Sequence, residues 1–267
     1  MENERFPKGG LPEPINAQEL FLRDFEFVNY HINHDKWDLI RGFDIIDAHR
    51  FTEDFCCDEL SSCWIETKVE RGSGMATAVC PDMVNGVLHL MTNNADNDSY
   101  ELVQDCECWK LLSNYPLYAE IRFMLTDPLQ SEFWFGLINA AAYFPMYAPT
   151  DFVVFDIDDE DNEIDFHVRK NSIMTQNLAL ALLTPYTWIR LGFHFDGAGT
   201  VRWFVLRDGD APQYCISTGQ VTTNIPDDEE LALGFGLRNG EAESKGLFVD
   251  YVKCVQKRVI ESYGQYV

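Results

Sequence analysis

From Phe21 onward the apolar residues of this chain recur with a period of two rather than 3.6. That alternation puts every second side chain on one face, so it specifies strands with one face buried and excludes a helical domain. The clearest strands are Gly86–Thr92, Leu117–Leu125, Glu132–Asn139, Phe152–Asp156, Glu163–Arg169, Thr187–Phe195, Thr200–Leu206, Glu230–Arg238 and Gly246–Cys254. Turn residues separate them: Asn93–Asp98, Asp158–Asn162, Asp196–Gly199, Asp208–Asp210, Pro226–Asp228 and Asn239-Gly240, where Gly, Asn and Asp tolerate tight-turn dihedrals. With weaker candidates around Trp37, Trp64, Met75 and Leu102, roughly a dozen or more strands follow at sandwich or barrel spacing. The expected fold is all-β, two antiparallel sheets packed face to face, with helical stretches few and short.

Length and composition then set the domain plan. The 267 residues, 46% hydrophobic and 24% charged, are enough for one β domain of about 230 residues and exclude a disordered chain. Residues 1–18, with Pro7, Gly9, Gly10, Pro12 and Pro14 and little periodicity, read as an extended arm. Residues 19–258 form the sandwich, and 259–267 a short tail. Twenty Lys and Arg against 44 Asp and Glu leave a net charge of −24. Such a surface repels phosphate backbones and anionic lipid, so neither nucleic acid nor membrane is an expected partner. There is no run of 18 apolar residues, and Met1–Gly10 lacks the basic-then-apolar order of a secretory signal, so a soluble protein made in a host cytoplasm is expected. The eight cysteines are unevenly spread, and a chain this long does not need disulfide staples; reduced, packed thiols are expected.

One stretch carries a resemblance. Residues Thr187–Val205 (TWIRLGFHFDGAGTVRWFV) are similar to the hairpin of concanavalin A-like jelly rolls, in which a Trp-led strand turns at Asp-Gly and returns toward a second Asp-Gly, here Asp208-Gly209. The longer pattern from Phe21 to Arg258 resembles lectin-like jelly rolls among the structural proteins of tailed bacteriophages, through GVLHLMTNNADND, EFWFGL, EIDFHVRK and NIPDDEELALGFGLRNGEAESKGLFVDYV. The resemblance implies a jelly-roll sandwich. Because such folds serve glucanases, lectins and virion proteins alike, function rests on sites.

The chemically richest stretch is Glu163-Ile164-Asp165-Phe166-His167, since alternate residues would place Glu163, Asp165 and His167 side by side on one strand face. Laminarinase-like glycosidases of the resembled fold use Glu-x-Asp-x-Glu there, with the first Glu as nucleophile and the last as general acid. Here the last position is His167, so the carboxylic acid that a retaining mechanism requires is missing. The acidic loop Asp156, Asp158, Asp159, Glu160, Asp161, Asn162 offers hard oxygen ligands for Ca²⁺, as in legume-type lectins, but departs from EF-hand spacing. Counted from Asp156, Asp161 takes the place of the loop glycine and His167 that of the bidentate Glu. A hairpin turn solvated by its own carboxylates explains the loop equally, so no cofactor is assigned and Ca²⁺ stays an alternative.

The remaining candidates are weaker. Cys106-Glu107-Cys108, or Cys56-Cys57 with Cys63, can supply thiolates for zinc with His49 or His89, yet the spacing matches no zinc module. Alternation instead puts Cys106 and Cys108 on one side beside Trp109, as small buried hydrophobes. Trp134 is the candidate ring for stacking on a sugar. Tyr143, Phe144, Met146 and Tyr147 lie in the apolar, proline-broken loop 140–150, which reads as a lid or a subunit contact. Gly-x-Ser-x-Gly, P-loop and dinucleotide fingerprints are absent, and the six histidines are dispersed. The expectation is a non-enzymatic virion structural protein, specifically a decoration or cement protein on the head exterior. It would contact the major capsid protein or other virion subunits and form a homo-oligomer such as a trimer. The alternatives are a carbohydrate-binding module or host adhesin that takes a surface glycan and, behind it, a glycoside hydrolase.

Overall fold

The computed structural model describes residues 48–57, 59–72, 74–81, 86–139, 149–208 and 216–258. The arm 1–18, the tail 259–267, the strand candidate around Trp37 and the loop residues Tyr143, Phe144, Met146 and Tyr147 lie outside them. Among the described residues every regular element is a strand: β1 (Ala48–Glu53), β2 (Trp64–Val69), β3 (Thr77–Val79), β4 (Leu88–Met91), β5 (Ser99–Gln104), β6 (Leu117–Leu125), β7 (Ser131–Ile138), β8 (Phe152–Ile157), β9 (Glu163–Lys170), β10 (Ile173–Leu182), β11 (Ile189–Phe195), β12 (Val201–Arg207), β13 (Ser217–Val221), β14 (Ala232–Asn239) and β15 (Gly246–Lys257).

They form two antiparallel sheets. The first runs β13-β12-β11-β6-β15-β4-β3, with β1 also paired to β15; the second runs β10-β9-β8-β7-β14-β5-β2. The runs β11–β13, β7–β10 and β3–β4 pair in sequence order, but β6 sits between β11 and β15 and β14 between β7 and β5, which is the crossing pattern of a jelly roll. The long strand β15 pairs β6 along one side; on the other its first part takes β4 and its second part β1.

Alternation decides which face is core. In β6 the residues Leu117, Ala119, Ile121, Phe123 and Leu125 point between the sheets, and in β7 Phe133, Phe135 and Leu137 meet them. Phe123 stacks on Phe133 at 4.1 Å between ring centroids and 6° between planes, and Phe166 of β9 stacks on Trp203 of β12 at 5.2 Å. Aromatic pairs of this kind add about 0.5–1.5 kcal/mol each beyond the area they bury. The Asp196–Gly199 turn forms as its sequence requires. The Asp196 carboxylate accepts hydrogen bonds from the Ala198 and Thr200 amides at 2.7 and 3.0 Å, and Gly197 and Gly199 take φ of 71° and 94°.

The second sheet buries its other face as well. Val103, Trp134, Ile138, Phe152, Val154 and Ala232 form a separate apolar cluster there, on the alternate positions of β5, β7, β8 and β14. That face carries every charged residue the EIDFH triplet would use.

Candidate functional site

Strand register builds the site. Trp134 of β7 lies opposite Asp156 of β8, and Asp156 opposite Asp165 of β9, so the three side chains form one row across the outer face of the second sheet. The row continues through Gly236 of β14 to Glu101 of β5. His167 stands two residues along β9 from Asp165, on the same face and opposite Val154.

The indole of Trp134 lies flat because glycines make room for it. A Cβ on Gly234 would sit 2.6 Å from its Cη2, and one on Gly236 2.7 Å from its Nε1. In that trough Nε1 donates to Glu101 Oε2 at 3.1 Å, so a fully buried carboxylate orients a fully buried ring. Trp134 has 0% exposure, and a sugar cannot stack on a ring with no accessible face.

His167 is 1% exposed and lies between two carboxylates, with Nε2 at 2.9 Å from Asp156 Oδ1 and 3.8 Å from Asp165 Oδ2. Burial alone would make the imidazole neutral. The hydrogen bonds and charge of Asp156 and Asp165 outweigh burial and raise His167 to about 9, so it is a cation at neutral pH. Asp165 is also committed elsewhere, because its Oδ1 accepts the Ala179 amide of β10 at 2.7 Å.

Around this pair the field is negative. Glu132, buried on β7, is paired with Arg238 of β14; desolvation raises its carboxyl, Arg238 opposes this, and Asp159 and Asp156 add to it. Asp158 lies on the loop after β8 with part of its surface open to solvent; partial desolvation of its carboxyl, then the charges of Asp156, Glu132 and Asp165, raise it to about 6.

The sequence-predicted residues therefore divide. Trp134, Asp156, Asp165 and His167 come together, whereas Asp158 lies at the margin and Glu163 is half-buried at the start of β9, its amide donating to Asp161 Oδ1 at 2.7 Å. Among the described residues, Asp156, Asp165 and His167 form the one group whose ligand atoms fall within 4.8 Å of one another. One nitrogen and two carboxylates suit a divalent cation in kind. A protonated Nε2 has no lone pair to give, so a metal there would have to displace the proton first.

Several residues escaped the sequence reading. Glu101, Glu132 and Arg238 are charged residues at alternate positions of otherwise apolar strands, and that placement was the available signal. On the outer face of the first sheet, buried Glu120 accepts from the hydroxyls of Tyr118 and Tyr251, while Arg122 bridges Asp208 and Asp250 and stacks over Trp188 at 4.3 Å. The expectation of packed thiols needs correction: Cys56, Cys57, Cys63 and Cys106 are exposed, Cys108 is half-buried and Cys254 alone of these is buried. Cys106 and Cys108 sit in the loop after β5, outside the alternation that would have turned both inward.

No protein-family model matches the chain, and neither does any curated protein. Solved structures do. A protein of unknown function from Shewanella oneidensis MR-1 superposes with a TM-score of 0.55 at 13% identity, over 93% of this chain and 97% of that one. Peanut lectin, solved with a 9-residue peptide, gives 0.55 at 9% identity over 80% of this chain and 100% of its own. The endo-1,3-beta-glucanase of Streptomyces sioyaensis gives 0.54 at 10% identity, over 80% and 98%. At such identities the likeness speaks for the fold alone, and with the strand order above it establishes a two-sheet jelly-roll sandwich of the concanavalin A-like kind.

Proposed function

We propose that this chain is a non-enzymatic structural protein of a tailed bacteriophage, placed on the head exterior as a decoration or cement subunit. The observation that carries the non-enzymatic part is His167. The residue at the position of the glycosidase general acid is a histidine, 1% exposed with Nε2 2.9 Å from Asp156 Oδ1, and the neighbouring ring, Trp134, is sealed against Glu101. A retaining glycosidase needs a protonated carboxylic acid that reaches the leaving oxygen. A buried imidazolium tied to a carboxylate serves packing instead, as a fixed polar element inside a rigid β domain.

The virion part draws on the resemblance of the Phe21–Arg258 pattern to phage jelly rolls and on the net charge of −24, which keeps a subunit soluble at the high copy number a shell requires. Its partners on this reading are the major capsid protein and further copies of the chain, with a trimer as the working stoichiometry and no cofactor. A second reading, glycan binding by a host adhesin, is compatible with the lectin fold and with the exposed ring of Tyr186, which is 67% exposed ahead of the Trp188–Arg122 stack.

The experiment incubates the purified chain with β-1,3-glucan and with a glycan array, with and without EDTA. The proposal expects neither turnover nor glycan retention. Reducing-sugar release that disappears in Glu163→Gln would overturn it in favour of a hydrolase, and EDTA-sensitive glycan binding would overturn it in favour of an adhesin.

A further inference from the structure

Away from that sheet face, three groups gather at one end of the sandwich. The Sγ atoms of Cys106 and Cys108 lie 3.1 Å apart, closer than two sulfur atoms pack without interacting, and His49 Nε2 lies 3.4 Å from Cys108 Sγ. All three are held in place. The loop that carries the thiols is pinned at both ends, because the Trp109 indole donates to Gln104 Oε1 at 2.6 Å and the Trp109 backbone exchanges hydrogen bonds with Leu231 at 3.1 and 2.7 Å. Inside it the Asp105 amide donates to the Cys63 carbonyl at 2.8 Å, and the His49 ring packs on Trp109 at 4.3 Å between centroids. Cys106 is exposed and Cys108 half-buried.

We propose that Cys106 and Cys108 form a redox-active dithiol that exchanges with small-molecule disulfides, with His49 as the proton acceptor for Cys108. The order of events follows from access. Cys106, open to solvent, attacks one sulfur of a disulfide RS–SR, forms a mixed disulfide and releases the first RS⁻. The Cys108 sulfur then displaces the second RS⁻ from Cys106 while its proton passes through the Nε2 lone pair of His49 to that departing RS⁻; the proton of Cys106 went to the first. In sum, two thiols and RS–SR become the Cys106–Cys108 disulfide and two RSH; the pair loses two electrons and two protons, and RS–SR gains them.

The electrostatics agree with these roles. Burial, then the hydrogen bond and charge of Cys106, push Cys108 up to about 12; capping Cys106 removes the latter two and leaves burial, so Cys108 stays a thiol that needs a base as it attacks. Burial, and then the charge of Arg258, hold His49 below its ordinary value, so the imidazole is neutral and able to accept. A thiolate metal centre accounts for the cluster less well. Among the described residues, three ligand atoms converge only at Asp156, Asp165 and His167, so the two sulfurs and the imidazole run in file rather than around a point.

The test treats the reduced full-length protein with oxidised glutathione and follows intact mass, then cleaves with a glutamate-specific protease, which cuts after Glu107. The wild type is expected to lose two hydrogens, and the fragments ending at Glu107 and beginning at Cys108 to stay joined until a reductant is added. Cys108→Ser should keep a glutathionyl adduct on Cys106, Cys106→Ser should leave Cys108 without an internal bond, and His49→Gln should accumulate the Cys106 adduct because closure slows by roughly a hundredfold. A wild type that stops at the adduct, a bond mapped to other cysteines, or equal closure rates in native and guanidinium-unfolded protein would overturn the dithiol. Wild-type closure in His49→Gln would overturn the role of His49.

Discussion

The chemistry of the second sheet's outer face comes down to where one proton sits. With His167 raised to about 9 from 6.5, the stability it contributes is fully present below about pH 6.5 and is lost as pH rises through about 9. The melting temperature should therefore fall across that window, and His167→Gln should flatten the profile there while lowering stability on its acid side, by a few kcal/mol for a broken buried pair. A wild-type profile that stays level through the window would contradict the imidazolium. Asp158 gives a slope of the same sign at lower pH, because it too binds its proton more tightly in the folded chain. Its carboxyl is raised from 3.8 to about 6, so stability falls as pH climbs between those values, and Asp158→Asn should melt higher than wild type at neutral pH and no higher below about 3.8. Of the residues involved, Asp165 and His167 were legible from alternation along EIDFH and Asp156 from its acidic loop. The Asp156–His167 pairing was not, because it depends on the register between two strands, which a single strand's sequence does not state.

Elements differ in how plainly the chain declares them. Leu117–Leu125 appears with the boundaries read from alternation, and Phe152–Asp156 and Glu163–Arg169 each run one residue further in the structure, since their buried faces are continuous. β10 went unread: it is an edge strand whose residues Ile173, Leu178 and Leu182 are exposed, so no period-two pattern is imposed on it, and its pairing with β9 slips between Asn177 and Ala181. In that bulge Ala179 takes φ of 58°, held by the carboxylate of Asp165. Replacing Ala179 with Gly should raise stability by about 0.5–1 kcal/mol, because the left-handed conformation costs alanine more than glycine loses in chain entropy. The reverse experiment sits on β14, where Gly236→Ala would press a methyl against the Trp134 indole nitrogen and the Glu101 side chain. A loss of about 1–3 kcal/mol in urea unfolding is expected. No loss would mean that the indole does not lie in the glycine trough.

For the molecule as a whole, alternation, turn chemistry and length were enough to give two antiparallel sheets, and the fold then superposed on that of a legume lectin. What such a sandwich does is set by which of its faces stays open. Here the outer face of the second sheet, which holds Asp165 and His167, carries a fully buried tryptophan, a buried histidine and buried carboxylates. A face packed in this way is the observation on which the proposed structural role rests. The proposed virion role is addressed most directly by sedimentation of the purified chain with assembled phage heads from the virus whose genome carries this sequence on that proposal, followed by averaging of the particle images. The account predicts that the chain pellets with the heads at a fixed copy number and appears as regular density on their outer surface. A chain that stays in the supernatant as a monomer, at any protein concentration tried, while it retains or cleaves a polysaccharide, would contradict it.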